Sequence, residues 1–410
     1  MTQPLPNPVT PATFRTLDQI DVANKRVVVR LDLNVPMVDG RVTDRTRLDR
    51  LLPTLKELIR KKAKVIVLAH LGRPEGKFVP ALSLAPIVDT VADALPGVPV
   101  KFAVDCIGTE AQKAVAAVQP GELLMLENIR FHAGEEKNDA AFAKELASHG
   151  EVYINDAFSC SHRTHASVVG ITQYLPSVAG RLMQEELMNL ERLFVNPPRP
   201  LTAVIGGAKI STKLELLENL LGRVDSLIIG GAMANTFLLA QGYKIGKSLH
   251  EPKLVKTATR ILTLAAERGC WVHLPVDAVT APALTGSASA NVVRVGAIPA
   301  EEMILDIGPE TIRRFSDCLY NSKGVLWNGP LGAFENTPYD ASTVMLARVV
   351  ASLTSTGKLK SIAGGGDTAA ALMHAKLAER FSYLSTAGGA FLEWMEGKVL
   401  PGVVALQKAA

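Results

Sequence analysis

From Lys25 onward, short runs rich in β-branched residues alternate with segments of helical spacing, and the alternation occurs twice along the chain. In the first half the strand candidates are residues 27–31, 65–69, 100–103, 123–126 and 152–155, separated by helical patterns such as 48–60 (LDRLLPTLKELIR) and 140–148. Strand, helix, strand repeated in this way requires right-handed crossovers and a parallel sheet covered on both faces. After Leu201 the pattern restarts, with candidates at 203–205, 226–229, 271–274, 292–295, 325–327, 359–363 and 383–386. The fold class expected is α/β, with two doubly wound parallel-sheet (Rossmann-like) domains.

A length of 410 residues fits that division, because single cores rarely grow past about 250–300 residues. Between the halves, residues 181–195 (RLMQEELMNLERLFV) place Leu182, Met183, Leu187, Leu190, Leu193 and Phe194 on one helical stripe. Asn196, Pro197, Pro198, Arg199 and Pro200 then stop the helix and stiffen the crossing. The expectation is a helix bridging two domains with a cleft beside it, although an ordinary surface helix and loop has the same periodicity. The chain is 48% hydrophobic and 5% aromatic, which suits a soluble enzyme of this class rather than a disordered, membrane or all-β protein. A net charge of +4, with no basic run interleaved with aromatics, argues against nucleic acid. The four cysteines form no C-x-x-C, so reduced thiols in a cytosol are expected rather than a zinc site or disulfide framework. The start, MTQPLPNPVTPATF, lacks the cationic and apolar regions of a signal and reads as a frayed, Pro-rich tail; no later run is long enough to span a bilayer.

In an open parallel sheet, ligands sit outside the carboxyl ends of the strands. The residues there share a theme in the first half. Asp32 and Asn34, in RLDLNVP, are two apart and emerge on one side of a strand end. His70 and Arg73 follow in AHLGRP, Arg130 in LENIRF, and His162, Arg163 and His165 in NDAFSCSHRTH, while Arg47 sits at the start of the first long helical pattern. Each alone fits a solvated or ion-paired surface group. Several cations converging on one sheet edge repel unless an anion joins them, which favours a small, multiply anionic substrate over a structural charge network. No Ser-His-Asp arrangement or zincin motif is present.

The second half carries glycine turns and lysines. GGAKISTKLELLENLLG (206–222) reads as strand, turn and helix, with Thr212 and Glu215 as a capping box, Lys213 in the first helical turn and Lys209 in the loop before it. Cations at that end oppose the helix dipole unless an anion is held there, so phosphate-binding lysines are expected. In LKSIAGGGDTAAAL (359–372) a strand end, Gly364 to Gly366 and a helix start form another anion site. Asp367 answers equally well to an N-cap and to a carboxylate that meets phosphate through magnesium. Further glycine turns, at Gly230 and Gly231, Gly329 and Gly332, and Gly388 and Gly389, suit a flat base plus phosphates. GYKIGKS (242–248) is one residue short of a Walker A motif, and G-x-G-x-x-G is missing. A small anion in one half, a nucleotide in the other and a cleft between them describe a phosphoryl-transfer enzyme.

These motifs resemble a known family. VRLDLNVP, HLGRP, LENIRF, NDAFSCSHRTH, GGAKISTK, IIGGAMA, WNGPLGAFE, IAGGGDTAA, STAGGAFLE and GKVLPGV occur in the order found in phosphoglycerate kinases, over about residues 16–404. The resemblance implies reversible, magnesium-dependent transfer of a phosphoryl group between 1,3-bisphosphoglycerate and ADP, giving 3-phosphoglycerate and ATP, in a cytoplasmic, monomeric glycolytic enzyme. Rival readings are another two-domain kinase of a small phosphorylated carboxylic acid and a binding protein with a decayed site. The domains implied are 1–180, binding 3-phosphoglycerate and completed by 401–410; a hinge helix and linker at 181–200; and a nucleotide-binding domain at 201–400, with a deep cleft between the two.

Matched by position, Asp32, Asn34, His70, Arg73, Arg130 and Arg163 correspond to the family's 3-phosphoglycerate residues and Arg47 to its catalytic arginine. Lys209 and Lys213 correspond to the lysines on the nucleotide phosphates, Glu335 to the ribose contact, and Gly207, Gly231, Asn328 and Pro330 to the adenine pocket. Gly365, Gly366, Asp367 and Thr368 correspond to the phosphate and metal loop, with Asp367 as the magnesium-associated aspartate. The backbone N–H groups of Gly365, Gly366, Gly388 and Gly389 are expected to join Arg47, Lys209 and Lys213 around the group in flight. Ser159, Ala232, Asn235, Tyr383 and Ala387 depart from the usual pattern.

Overall fold

A computed structural model describes residues 14–194, 197–285 and 290–407. Its described residues fall into two compact units, 14–191 with 399–407, and 192–398 without the two gaps. The N-terminal tail, Val195 and Asn196 lie outside the described residues, as do the side chains of Leu193 and Phe194. Phe14, placed in that tail by sequence, is buried.

The strands of the first unit are β1 (Arg26–Arg30), a short hairpin of β2 (Met37–Val38) and β3 (Arg41–Val42), β4 (Lys64–Leu68), β5 (Val100–Ala103), β6 (Leu123–Leu126), β7 (Val152–Asn155) and β8 (Ser177–Ala179). Six of them form a parallel sheet in the order β5-β6-β4-β1-β7-β8. The chain reverses direction across the sheet at β1 and β7, which pair with Val27 opposite Val152 and Arg30 opposite Asn155. Strands buried on both faces need apolar residues at consecutive positions. Accordingly Val27 and Val29 pack into one core cluster while Val28, between them, packs into the other. Burying a side chain of this size contributes about 1.5–3 kcal/mol.

The second unit repeats the design with β9 (Leu201–Ile205), β10 (Ser226–Ile229), β11 (Trp271–His273), β15 (Gly324–Asn328), β16 (Lys360–Gly364) and β17 (Tyr383–Ser385), parallel in the order β11-β10-β9-β15-β16-β17. Here the reversal falls between β9 and β15. The structure corrects the sequence at residues 292–295. They do not join the parallel sheet; β13 (Asn291–Arg294) pairs antiparallel with β12 (Asp277–Ala281), which also pairs with β14 (Met303–Ile307). Val292 is 60% exposed, as one side of a half-solvated sheet should be.

The single helix expected over 48–60 is two, Thr46–Asp49 and Leu52–Arg60, with Pro53 in the first turn of the second, where its missing N–H costs little. The bridging helix is Arg181–Phe194. Its stripe of Leu182, Met183, Leu187 and Leu190 is buried, and Arg181 fixes its start by donating to Asp18 and Glu57 at 2.6–2.9 Å. At the chain's end the helix Pro401–Gln407 returns to the first unit, where Gly402 N donates to Ser161 O at 2.8 Å. Among the described residues no helix is long and apolar enough to cross a membrane.

Candidate active site

Each parallel sheet brings its chemistry-bearing residues together at its own reversal point. In the first unit, Asp32 follows β1 and is buried. Its Oδ2 accepts from Arg47 Nη1 at 2.6 Å and from the Ser159 hydroxyl beyond β7, and its Oδ1 accepts from Asn34 N at 3.0 Å. Asn34 is exposed, and its Oδ1 accepts from Gly72 N at 2.9 Å, tying the β1 loop to the β4 loop. Gly72 O in turn accepts from Arg130 Nη1 at 2.8 Å. Arg130 is 3% exposed, and its Nε has no hydrogen-bond partner among the described residues, the nearest acid being Glu136 at 3.6 Å. Arg163 donates from Nε to His162 Nε2 at 3.2 Å, and Arg73 is exposed beside Gly72.

His70, also buried, lies among these cations. Burial first, then Arg30, Arg130, Arg163 and Arg47, hold its pKa well below the ordinary histidine value. Burial likewise lowers Arg130, with Arg30 and Arg163 adding to the effect. The cluster thus has an excess of guanidinium charge that an anion would relieve. One member escaped the sequence: Arg30, at the last position of β1, is fully buried. A charge closing an otherwise apolar VVVR run was the available signal.

In the second unit, Lys213 is part-buried and donates from Nζ to Gly206 O at 2.6 Å, Asn328 O at 3.1 Å and Asn328 Oδ1 at 2.5 Å. Asn328 Nδ2 donates to Gly364 O at 2.8 Å, and Gly329 N to Thr368 Oγ1 at 2.7 Å. These bonds stitch together the ends of β9, β15 and β16. Burial brings Lys213 down to about 8, opposed by the Asp367 carboxylate.

The expected capping box is absent. Lys213 itself occupies the N-cap of the helix Leu214–Leu220, the Thr212 hydroxyl donates to Lys209 O at 2.9 Å, and Glu215 pairs with Lys398 at 2.5 Å. Asp367 is not a cap either. Gly365 caps the helix Gly366–His374, and Asp367 is an exposed residue of its first turn. Gly365 has φ +100, and a Cβ there would lie 2.7 Å from Asn328 Nδ2, so the turn requires glycine. A second helix, Gly388–Met395, begins beside it: a Cβ on Gly388 would be 3.9 Å from Gly366 N, and Gly389 is exposed in its first turn. Two helix N-termini therefore adjoin, which suits phosphate.

Next to them is a cavity of about 300 Å³ lined by Gly207, Gly231, Pro330, Glu335 and Asp367 together with apolar side chains such as Leu238, Leu249 and Ile304. Gly231 has φ +66, and a Cβ there would strike Gly207 N at 2.6 Å, so the two backbones approach closely in the cavity wall. Lys209 is exposed on the loop after β9.

The family model for phosphoglycerate kinase matches residues 17–398. The chain belongs to the phosphoglycerate kinase family. It is 55% identical over 393 residues to a phosphoglycerate kinase of Cereibacter sphaeroides, covering 96% of this chain and 99% of the relative, and 56% identical over 395 residues to one of Granulibacter bethesdensis, covering 96% and 100%. Among solved structures, phosphoglycerate kinase from Coxiella burnetii superposes with a TM-score of 0.89 at 42% identity over 97% of this chain and 100% of that one. The enzyme from Pyrococcus horikoshii gives 0.82 at 29% identity over 96% and 99%. Within that family frame, the departures found in the sequence have definite places. Ser159 uses its hydroxyl on Asp32, and Ala232 and Asn235 line the cavity. Asn235 is 1% exposed, its Nδ2 donates to Leu249 O at 3.0 Å, and its Oδ1 has no partner among the described residues.

Proposed function

We propose that this chain transfers a phosphoryl group reversibly between 1,3-bisphosphoglycerate and ADP, giving 3-phosphoglycerate and ATP, with the first unit holding the phosphoglycerate and the second the nucleotide. The observation that carries the reading is the pairing of unlike sites. One is a cluster of guanidiniums with too few acids, and the other is two adjoining helix N-termini beside an apolar cavity.

The attacking carboxylate is ionised at neutral pH, so no general base is needed and catalysis rests on alignment and charge neutralisation. Arg130, Arg163, Arg73, His70 and Asn34 hold the phosphoglycerate, and Asp32 aims Arg47 at the group in flight. Gly207, Gly231, Asn328 and Pro330 shape the adenine site, and Glu335 takes the ribose. Lys209, Lys213, Thr368 and the N–H groups of Gly365, Gly366, Gly388 and Gly389 face the phosphates. Asp367 fits magnesium: it is an exposed carboxylate at an end otherwise built for anions, and one carboxylate plus phosphate oxygens and water is the usual magnesium set. Bound there, the ion would be held by Asp367 and would supply positive charge to offset that of the phosphates.

The reading extends to a cytoplasmic, monomeric enzyme. All four cysteines are free thiols, which supports the location, and sedimentation at the mass of one chain would support the monomer. The deciding experiment is a coupled assay of magnesium-dependent ATP turnover with 3-phosphoglycerate as acceptor. Turnover only with a different phosphorylated acid, or none in folded protein, overturns the proposal.

A further inference from the structure

The guanidinium of Arg30 is held on every side. Nε donates to Ser167 Oγ at 2.8 Å, Nη1 donates to Leu31 O, and Nη2 lies 3.1 Å from His70 Nδ1 and 3.7 Å from Cys160 Sγ. Its charge is balanced at one remove. The Ser167 hydroxyl donates to Oε1 of Glu135 at 2.6 Å and its N–H to Oε2 at 2.9 Å, and Glu135 is fully buried as well. Tyr153 OH donates to Ser167 O at 2.6 Å and holds that residue in place.

A guanidinium has donors only and keeps its proton at any ordinary pH. The ring nitrogen that faces it must therefore be an acceptor, and the single proton of a neutral imidazole then sits on the other nitrogen. We propose that Arg30 is a positioning residue that locks His70 as the neutral, Nε2-protonated tautomer, so that His70 meets the anionic substrate as an uncharged hydrogen-bond donor. The inference rests on the phosphoglycerate reading of this cluster.

The surroundings act in the same direction. The charges that act most strongly on His70 are Arg30 from β1, Arg130 beyond β6, Arg163 beyond β7 and Arg47 from the helix Thr46–Asp49, all cations. The Asp32 carboxylate is already engaged by Arg47, Ser159 and Asn34 N. An imidazolium there would point an N–H at a guanidinium and add a further positive charge. The guanidiniums supply the attraction for phosphate and carboxylate, and His70 supplies direction.

The test is long-range ¹H–¹⁵N correlation of the ligand-free chain labelled on histidine nitrogen, with His70 assigned through His70→Gln. The expected result is the Nε2–H pattern, without titration, from about pH 5.5 to 8. A His70 proton on Nδ1, or a midpoint near the ordinary histidine value, overturns the inference without any variant. In Arg30→Met the donor facing Nδ1 is gone, so His70 should lose the single Nε2–H pattern and show both tautomers, and KM for 3-phosphoglycerate should rise at least about 10-fold while kcat stays within about 3-fold. An unchanged tautomer and an unchanged KM in folded Arg30→Met would also overturn it. The tautomer is measured without substrate, so a lost lock with normal turnover removes this inference alone. A locked ring in a chain with no phosphoglycerate-dependent turnover removes the substrate reading, and with it the role given to His70.

Discussion

Arg47 and Asp32 are joined by a 2.6 Å hydrogen bond from Nη1 to Oδ2, with Asp32 buried and the arginine side chain 34% exposed. A fixed carboxylate thus holds one arm of a guanidinium that still reaches solvent. Arg47→Ala should lower kcat at least about 100-fold, the scale of removing one preorganised donor. Arg47→Lys should recover little, because a point charge does not reproduce the fork. Steady-state kinetics on folded variants check this, and near-normal turnover would remove Arg47 from the transfer.

The two lysines differ in what they give up to bind phosphate. Lys213 must leave three carbonyl-type acceptors, whereas Lys209 is exposed. Lys209→Ala should lower kcat at least about 100-fold. Lys213→Ala should raise KM for ATP at least about 10-fold and loosen the turn that Asn328 holds. If Lys213→Ala binds ATP normally by calorimetry, its amine is structural.

Chelation of divalent ions should abolish turnover, with recovery on adding magnesium. Asp367→Asn should raise the magnesium concentration for half-maximal activity at least about 10-fold at saturating ATP. Because Asp367 caps no helix, the thermal midpoint of this variant should stay within about 2 °C of the parent. An unchanged magnesium dependence would place the ion elsewhere.

Asp306 lines the cavity beside the two helix N-termini at 2% exposure, and burial raises its carboxyl to about 7 despite hydrogen bonds from Ser342 and Ile307. A raised acid binds its proton more tightly in the folded chain, so its stabilisation is full below the unfolded value of 3.8 and is lost as pH climbs toward 7. Relative to Asp306→Asn, the natural chain should lose on the order of 2–4 kcal/mol across that range, at about 1.4 per pKa unit. Urea unfolding read by tryptophan fluorescence tests it. All three tryptophans, Trp271, Trp327 and Trp394, lie in the second unit and report on it alone. Parallel pH curves for the two proteins would mean that Asp306 is ionised in the folded state.

The parallel strands were legible because burial on both faces forces unbroken apolar runs, as in Val27 to Val29 and Val65 to Leu68. The sheet around Val292 was not, because a short β-branched run looks the same in parallel and antiparallel pairings, and only its partners at Val279 and nearby positions decide. Thr212 and Glu215 have the spacing of a capping box, yet Lys209 O and Lys398 offered better partners. Asp367 answered to a cap as well as to a metal partner because sequence does not reveal that the helix begins at Gly366, two residues before the start that a cap at Asp367 implies.

Local chemistry by itself determined the alternation of strands and helices, the glycine turns at their ends and the types of residue waiting there. Those are matters of propensity, periodicity and backbone freedom, and they act over a few residues. Tertiary structure alone decided which groups meet: Asp32 with Arg47 and Ser159, Lys213 with Asn328, and Arg30 with His70 and, through Ser167, with Glu135. Each of these meetings depends on the order in which the strands pair, and strand order is set by packing between segments far apart in the chain.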